Sequence, residues 1–294
     1  MRIIFIIASV LIACGSNNTA KPVTADSKYF NSISRNDIEL KDPQPGDWRY
    51  SYKEPHQSFE GYKKLNPKKA ALGKTKLYLQ PIGEFSAAQL KLLESTREYL
   101  EIFFQLSTIM LTPMPGQVIP DSAKRAKEGR PVQWHTPYIL DKLLKGKIPA
   151  DGYALMAISE KDVYPGPGWN FVFGIASFAD RVGVTSIYRL QNSVAAGSTD
   201  LLCLKRLFSI ASHEIGHMFS IHHCNFAKCS MNGSNSLDET DRCVSRLCSE
   251  CQQKLHWNIK YDNRKRLKEL IAYFKKNNLP DDLALAEKDQ KLLQ

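Results

Sequence analysis

The chain has 294 residues, of which 43% are hydrophobic and 24% are charged, and its formal net charge is +10. These proportions suit a globular domain with an ample core, and they exclude a disordered or fibrous chain. The lysines and arginines are scattered and no nucleic-acid-binding motif accompanies them, so we expect no nucleic-acid partner.

The first 14 residues have the form of an export signal. A positively charged start precedes an apolar run over residues 3–13, which is too short to cross a bilayer as a helix, and Cys14 follows directly. This order resembles a bacterial lipoprotein signal, in which residues 1–13 are removed and Cys14 carries the lipid. An ordinary secretory signal or a buried N-terminal strand are the alternatives. We expect an exported lipoprotein on the periplasm or cell-envelope side, anchored to the membrane through Cys14.

A polar segment follows the signal, and we expect residues 14–41 to form a flexible tether. The turn-rich sequence at 42–47 then marks the start of a single domain over residues 42–294. Strands are predicted at 76–82, 107–113, 153–158, 169–173 and 182–188, and residues 116–135 are predicted to be irregular. Helices are predicted to begin at Ser86, at Thr136, at one of Ser198, Thr199 and Asp200, and to cover 264–276 and a segment after Pro280. This order indicates an α/β or α+β fold.

Three histidines recur in a spacing that suits a metal ion. His213 and His217 lie at i and i+4 of a predicted helix, which places both imidazoles on one face. Glu214 lies beside them as a candidate general base for a metal-bound water. If the helix ends near Ser220, the chain can turn back and His223 can supply a third ligand, which leaves one position open as catalytic zinc requires. We interpret the neighbouring His222 as a surface residue.

Two close cysteine pairs follow the histidines. Their members are Cys224 and Cys229, then Cys248 and Cys251. Four thiolates in this arrangement suit a closed tetrahedral zinc site, whereas two disulfides, which exported proteins favour, or free thiols are the alternatives. Cys203 and Cys243 remain, and their spacing alone cannot show whether they pair.

Together these motifs resemble the archaemetzincin family of zinc metallopeptidases, which belongs to the metzincin clan. The family pattern joins the extended histidine motif directly to a cysteine, then to Cys-x-Met and to a distant Cys-x-x-Cys, and it runs here from His213 to Cys251 through Met231. Further similar stretches occur at 45–48, 77–81, 162–165, 169–174 and 233–236, so the resemblance covers roughly residues 42–275.

The resemblance implies a twisted mixed sheet with an active-site helix and a C-terminal helical part. It implies two zinc ions, one catalytic with three histidine ligands and one structural with four cysteine ligands. It also implies that Met231 forms the Met-turn beneath the catalytic zinc, and that the strand near 169–177 is the edge along which an extended peptide binds.

The activity that the resemblance implies is hydrolysis of peptide bonds, in short peptides and in an aminopeptidase-like manner. The alternative is a catalytically weak or silent zinc-binding lipoprotein that only binds peptides, and the presence of Glu214 argues against it.

One residue departs from the family pattern within the motif, because Ser220 stands where the family has glycine. Glycine enters left-handed backbone conformations without strain. We therefore expect Ser220 to adopt such a conformation with some strain.

Overall fold

The computed structural model describes residues 25–70, 73–126, 129–191 and 199–294. The predicted signal peptide at 1–13 and the predicted lipid site at Cys14 lie outside the described residues, as does Ser198.

A five-stranded mixed sheet organises the domain. In spatial order its strands are β2 (Ser107–Met110), β1 (Lys76–Ile82), β5 (Gly152–Ser159), β8 (Val182–Ser186) and β7 (Gly174–Ser177). The first four are parallel, and β7 pairs antiparallel with β8 at the edge of the sheet. Every residue of β5 is buried, as expected for a parallel strand covered on both faces. A small second sheet contains β3 (Lys124–Arg125), β4 (Gln133–His135) and β6 (Asp162–Tyr164).

Helices cover the main sheet and fill the C-terminal part. The helices up to and including the one that carries His213 and His217 are α1 (Ala25–Ile33), α2 (Trp48–Ser51), α3 (Phe59–Lys64), α4 (Ala87–Phe104), α5 (Thr136–Tyr138), α6 (Tyr188–Gln191) and α7 (Thr199–Met218). Those after it are α8 (Leu237–Arg242), α9 (Ser249–Ile259), α10 (Asn263–Lys276) and α11 (Pro280–Lys291). The expected class, a mixed sheet with an active-site helix and a helical C-terminal part, is confirmed. No helix in these described ranges is long and apolar enough to cross a membrane.

The long helix α7 is held against the sheet by an aromatic core. Tyr99 of α4 stacks on Phe208 of α7 with ring centroids 4.1 Å apart, and both side chains are fully buried. Burying a large apolar side chain contributes roughly 1.5–3 kcal/mol to stability. Because α7 also packs on β7 and β8, its histidine-bearing half lies next to the edge of the sheet.

The N-terminal segment differs from the predicted tether over 14–41. Helix α1 buries Tyr29, Phe30 and Ile33, and the ring of Phe30 lies 5.5 Å from that of His256 in α9. Three well-spaced apolar residues therefore anchor a segment whose composition is mostly polar. The tether prediction is wrong for residues 25–36, and the folded part begins before residue 42.

Most of the predicted strands and helices are confirmed, but residues 169–173 do not form a strand. Their alternation of bulky residues has another cause, because the rings of Phe171 and Phe173 pack against each other, with centroids 5.2 Å apart. Only Val172 makes a bridge, to Val163, and the regular edge strand begins at Gly174. The segment 116–135, predicted to be irregular, contains the short strands β3 and β4.

Candidate metal centres and active site

The long helix α7 ends in a way that turns the chain back on itself. The N–H of Ser220 donates to the carbonyl of His217 at 2.8 Å, and the N–H of Ile221 donates to the carbonyl of Gly216 at 3.2 Å. These two bonds form a Schellman motif in which Ser220 has φ of +62°, as the departure from glycine predicted. The reversal returns His223 to the helix face that carries the other two histidines.

Backbone carbonyls orient the two helical histidines. Nδ1 of His213 lies 2.9 Å from the carbonyl oxygen of Ser230, and Nδ1 of His217 lies 2.7 Å from that of Ile221. When each Nδ1–H donates to its carbonyl, each Nε2 keeps a lone pair for a metal ion. The two Nε2 atoms are 3.0 Å apart.

His223 is oriented by a residue from the N-terminal segment. Its Nδ1 lies 3.1 and 3.2 Å from the two carboxylate oxygens of Glu54, and its ring packs against Trp48 with centroids 4.2 Å apart. The candidate ligand atoms of the three histidines all lie within 4.8 Å of one another. Neighbouring nitrogens in a tetrahedral zinc site are about 3.3 Å apart, so the histidine cluster fits zinc after a small adjustment.

Burial keeps the three imidazoles neutral. It lowers the pKa of His213, lowers that of His217 well below its ordinary value, and lowers that of His223 to about 3. A metal ligand must be deprotonated. Because these histidines are already neutral at neutral pH, they do not have to release a proton when a metal binds.

Glu214 follows His213 on α7 and packs against the edge strand, and it lines the same cleft as His213. Its side chain is buried, and a Cβ at Gly174 of β7 would meet Oε1 at 2.7 Å, which explains a glycine at this point of the strand. Burial raises the pKa of Glu214 to about 8 in the metal-free protein. A nearby metal cation favours the ionised form of a carboxyl group, so metal binding would lower this pKa.

The four clustered cysteines meet in one buried group. The Sγ atoms of Cys224 and Cys248 are 3.7 Å apart, close to the roughly 3.8 Å that separates thiolates around tetrahedral zinc. Cys229 Sγ accepts N–H bonds from Met231 at 3.4 Å and from Cys248 at 3.3 Å. The neighbouring thiols, Cys229 first, lower the pKa of Cys224, so the group already favours one thiolate. All six cysteines in the described ranges, Cys203 and Cys243 included, are free, and the disulfide alternatives are not formed there.

Met231 joins the two clusters. It is buried, and a Cβ at Gly216 of α7 would collide with its thioether. Its carbonyl accepts the N–H of Cys224 at 2.7 Å, while its own N–H binds the sulfur of Cys229. The methionine therefore packs under the histidine helix and is fixed by the cysteine group.

A cleft of about 630 Å³ opens beside the histidines. Its lining includes His213, Glu214 and His223, with aromatic side chains on both sides. The aromatic residues are Trp48, Tyr52, Trp169, Phe171 and Phe173. The end of β7 at Gly174 also lines it, so the edge of the sheet borders the cleft.

Known proteins share this combination of motifs. The family model of Peptidase family M54 matches residues 129–257. Archaemetzincin-2 of Homo sapiens is 30% identical over 265 residues, which are 78% of this chain and 72% of that protein. The chain belongs to the archaemetzincin family. The archaemetzincin of Thermococcus kodakarensis is 39% identical over 111 residues, covering 37% of this chain and 59% of its own.

The structural comparison agrees with archaemetzincin membership. The crystal structure of archaemetzincin from Methanopyrus kandleri has a TM-score of 0.53 and 25% identity, and covers 65% of this chain and 98% of its own. Membership of the archaemetzincins makes the chain a zinc metallopeptidase, an enzyme whose substrates are peptides.

The archaemetzincin pattern located most of the site but not all of it. His213, His217 and His223 converge and Glu214 lines the same cleft, whereas His222 is outside the cluster and is half-buried near Phe178, with ring centroids 5.6 Å apart. Sequence reasoning missed Glu54, because nothing in its local sequence connects it to a histidine 169 positions later. The backbone carbonyls of Ser230 and Ile221, which orient His213 and His217, could not be predicted either, because a backbone contact does not depend on the type of side chain.

Proposed function

We propose that the chain hydrolyses short peptides in an aminopeptidase-like manner, with zinc held by His213, His217 and His223 and with Glu214 as general base. One observation carries this proposal: Glu214, His213 and His223 line the same cleft, beside a sheet edge. Peptide main chain can add to such an edge by hydrogen bonds.

Each side chain has a role in this chemistry. Zinc in the histidine cluster would supply Lewis-acid chemistry, polarising a peptide carbonyl and lowering the pKa of water to about 7. Glu214 would accept the proton of the attacking water and then deliver it to the departing amine. Its buried position beside Gly174 holds the carboxylate at the wall of the cleft.

We also propose that Cys224, Cys229, Cys248 and Cys251 hold a second, structural zinc ion. Their burial, their free thiols and the sulfur separation of 3.7 Å support this. A closed four-thiolate site leaves no position for substrate. Its effect would be to fix Met231 beneath the catalytic helix.

A peptide-library digest with metal-loaded wild type and Glu214→Ala tests the catalytic proposal. We expect Glu214→Ala to bind zinc normally and to lose about 10²–10⁴-fold in rate, because the base is absent while the ligands remain. Glu60→Ala is the matched control, since Glu60 is exposed on α3 and pairs only with Lys63 among the described residues. Equal cleavage by Glu214→Ala and wild type would show the mechanism to be wrong, and no cleavage by either would favour a peptide-binding role.

We propose in addition that the protein is an exported lipoprotein with lipid on Cys14. The support is the sequence alone: a charged start, a short apolar run and Leu-Ile-Ala before Cys14. Cell fractionation tests it, because wild type should enter the membrane fraction and Cys14→Ser should become soluble or stay unprocessed. Wild-type protein found wholly in the cytoplasmic soluble fraction would contradict it.

A further inference from the structure

Glu54 is held at the cleft by contacts on both its side chain and its backbone. Its carboxylate oxygens lie 3.1 and 3.2 Å from Nδ1 of His223. Its carbonyl accepts a hydrogen bond from Nδ2 of Asn225 at 2.9 Å, and Asn225 lies in the loop that follows His223, between Cys224 and Cys229. The N-terminal segment is therefore tied to the same loop that supplies the third histidine.

The carboxylate of Glu54 can accept further hydrogen bonds besides the one from His223. Its side chain is 40% exposed, and it lines the cleft. In the described part of the chain, His223 is the one side chain that donates to it. A carboxylate can accept about four hydrogen bonds, so acceptor positions remain open towards the cleft.

The charge pattern of the cleft lining differs from that of the whole protein. Among the described residues that line it there is no lysine or arginine, and its two carboxylates are Glu54 and Glu214. The whole chain nevertheless has a net charge of +10. An exposed carboxylate such as Glu54, in a lining without lysine or arginine, is complementary to an ammonium group rather than to a second carboxylate.

We propose that Glu54 determines the specificity of the cleft by binding the α-ammonium group of a peptide's first residue, while it also positions His223. This rests on the proposed peptidase function. Nδ1 of His223 contacts Glu54, and its Nε2 remains for the metal, so the carboxylate lies one imidazole ring from the reacting position. An ammonium held there belongs to the residue whose own carbonyl is attacked. The substrates are then peptides with a free N-terminus, cleaved after the first residue.

The side chains around Glu54 indicate what that first residue is. Trp48 packs on the ring of His223, and Tyr52 stacks on Trp48 with ring centroids 5.2 Å apart. Both line the cleft beside Glu54. An aromatic wall next to the ammonium site favours an uncharged first residue over an acidic one.

Glu54→Gln separates the two roles of the residue. The glutamine carbonyl oxygen still accepts the Nδ1–H of His223, but the negative charge is gone. We expect KM for trialanine to rise at least about tenfold, because a charge-assisted bond is lost, while cleavage of N-acetyl-trialanine stays at its low wild-type level. Glu60→Gln, which removes the same charge from exposed α3, should alter the cleavage of neither substrate.

Zinc affinity provides a readout that does not depend on activity. Chelator competition should give wild-type affinity at the histidine cluster for Glu54→Gln and a roughly 10–100-fold weaker affinity for Glu54→Ala, which cannot accept the Nδ1–H. The cysteine group serves as an internal control in each protein. Equal affinity for Glu54→Ala and wild type would overturn the positioning role.

The role of Glu54 in specificity is tested separately, by comparing the cleavage of trialanine with that of its acetylated form. If wild type cleaves trialanine and its acetylated form equally well, or if Glu54→Gln lowers both by the same factor, Glu54 does not bind the ammonium. Calorimetry checks the same point without turnover. It compares trialanine binding to zinc-loaded Glu214→Gln protein with binding to the same protein that also carries Glu54→Gln. Failure here leaves the peptidase proposal intact, since that proposal depends on the Glu214→Ala digest.

Discussion

At the scale of single residues, Ser220 decides whether the third histidine reaches the metal. Its φ of +62° closes the Schellman motif, and its carbonyl accepts a hydrogen bond from Nε2 of Gln57 at 2.9 Å. A side chain in this conformation costs roughly 1–2 kcal/mol because the Cβ is crowded. The reversal is therefore retained by its surroundings in spite of the local strain.

Ser220→Gly should stabilise the zinc-loaded protein. Relief of the strain outweighs the cost of adding a flexible glycine to the unfolded chain, which is about 0.4–1 kcal/mol. The melting temperature should rise by up to a few degrees, and Ser220→Ala, which keeps the Cβ, should show no such rise. A clear fall in midpoint for Ser220→Gly would mean that the residue carries no strain in the folded protein.

Cys203 and Cys243 should be chemically silent in the folded protein. Burial raises the pKa of Cys203 to about 12 and that of Cys243 to about 11. Because the thiolate is the reactive form and exists above the pKa, both thiols should resist iodoacetamide at pH 8, and Cys243 should begin to react first as the pH rises. Mass spectrometry of the alkylated peptides measures this, with protein unfolded in denaturant as the fully reactive control. A peptide in which the two cysteines are disulfide-linked would contradict the expectation.

At the scale of elements, the cysteine group connects the loop after α7 to the start of α9. Cys224 and Cys229 lie in that loop, whereas Cys248 is the N-cap of α9 and Cys251 lies in its first turn. A metal held by all four fixes the two segments to each other, and its binding energy becomes folding energy. The histidine cluster lies mostly on one helix, so its metal constrains less of the chain.

Cys248→Ser should therefore destabilise the fold more than His223→Ala. We expect the cysteine change to lower the unfolding free energy by several kcal/mol, and chelation of both metals to lower it further. Thermal melts of the two variants, each measured with and without excess zinc, provide the comparison. Equal midpoints for the two variants would show that the cysteine group does not stabilise the fold.

The elements that the sequence predicted well are those whose pattern is local. The i, i+4 histidines, the capping box at Ser86 and the apolar runs of β1 and β5 each depend on neighbours along the chain. The failures depend on distant contacts: α1 is recognisable only once α9 covers it. Glu54 is a site residue only because the fold brings it to His223, and no spacing in the sequence encodes that meeting.

At the scale of the whole molecule, a buried ionic network joins the two ends of the described chain. Arg246 lies 2.7 Å from Asp37 and 2.6 Å from Asp289 of α11, and it also donates to the carbonyl of Ile33 at 2.9 Å. All three charged side chains are less than one tenth exposed. The network holds the N-terminal segment, which leads on to Glu54, against the C-terminal helices.

Arg246→Leu should lower the unfolding free energy by about 3–5 kcal/mol, because it leaves two buried carboxylates without their partner. Arg242→Leu is the control, since its pair with Asp47 is exposed, and it should cost about 1 kcal/mol or less. Urea unfolding of both variants measures the difference. A similar decrease in unfolding free energy for Arg246→Leu and Arg242→Leu would mean that the network does not hold the ends of the chain together.

Anomalous diffraction at the zinc absorption edge, from crystals of the zinc-loaded protein, can locate two zinc ions with separate roles. We expect two peaks: one about 2.0–2.1 Å from a nitrogen of each of His213, His217 and His223, and one about 2.3 Å from the four cysteine sulfurs. A single peak, or a disulfide within the cysteine group in place of the second, would contradict it.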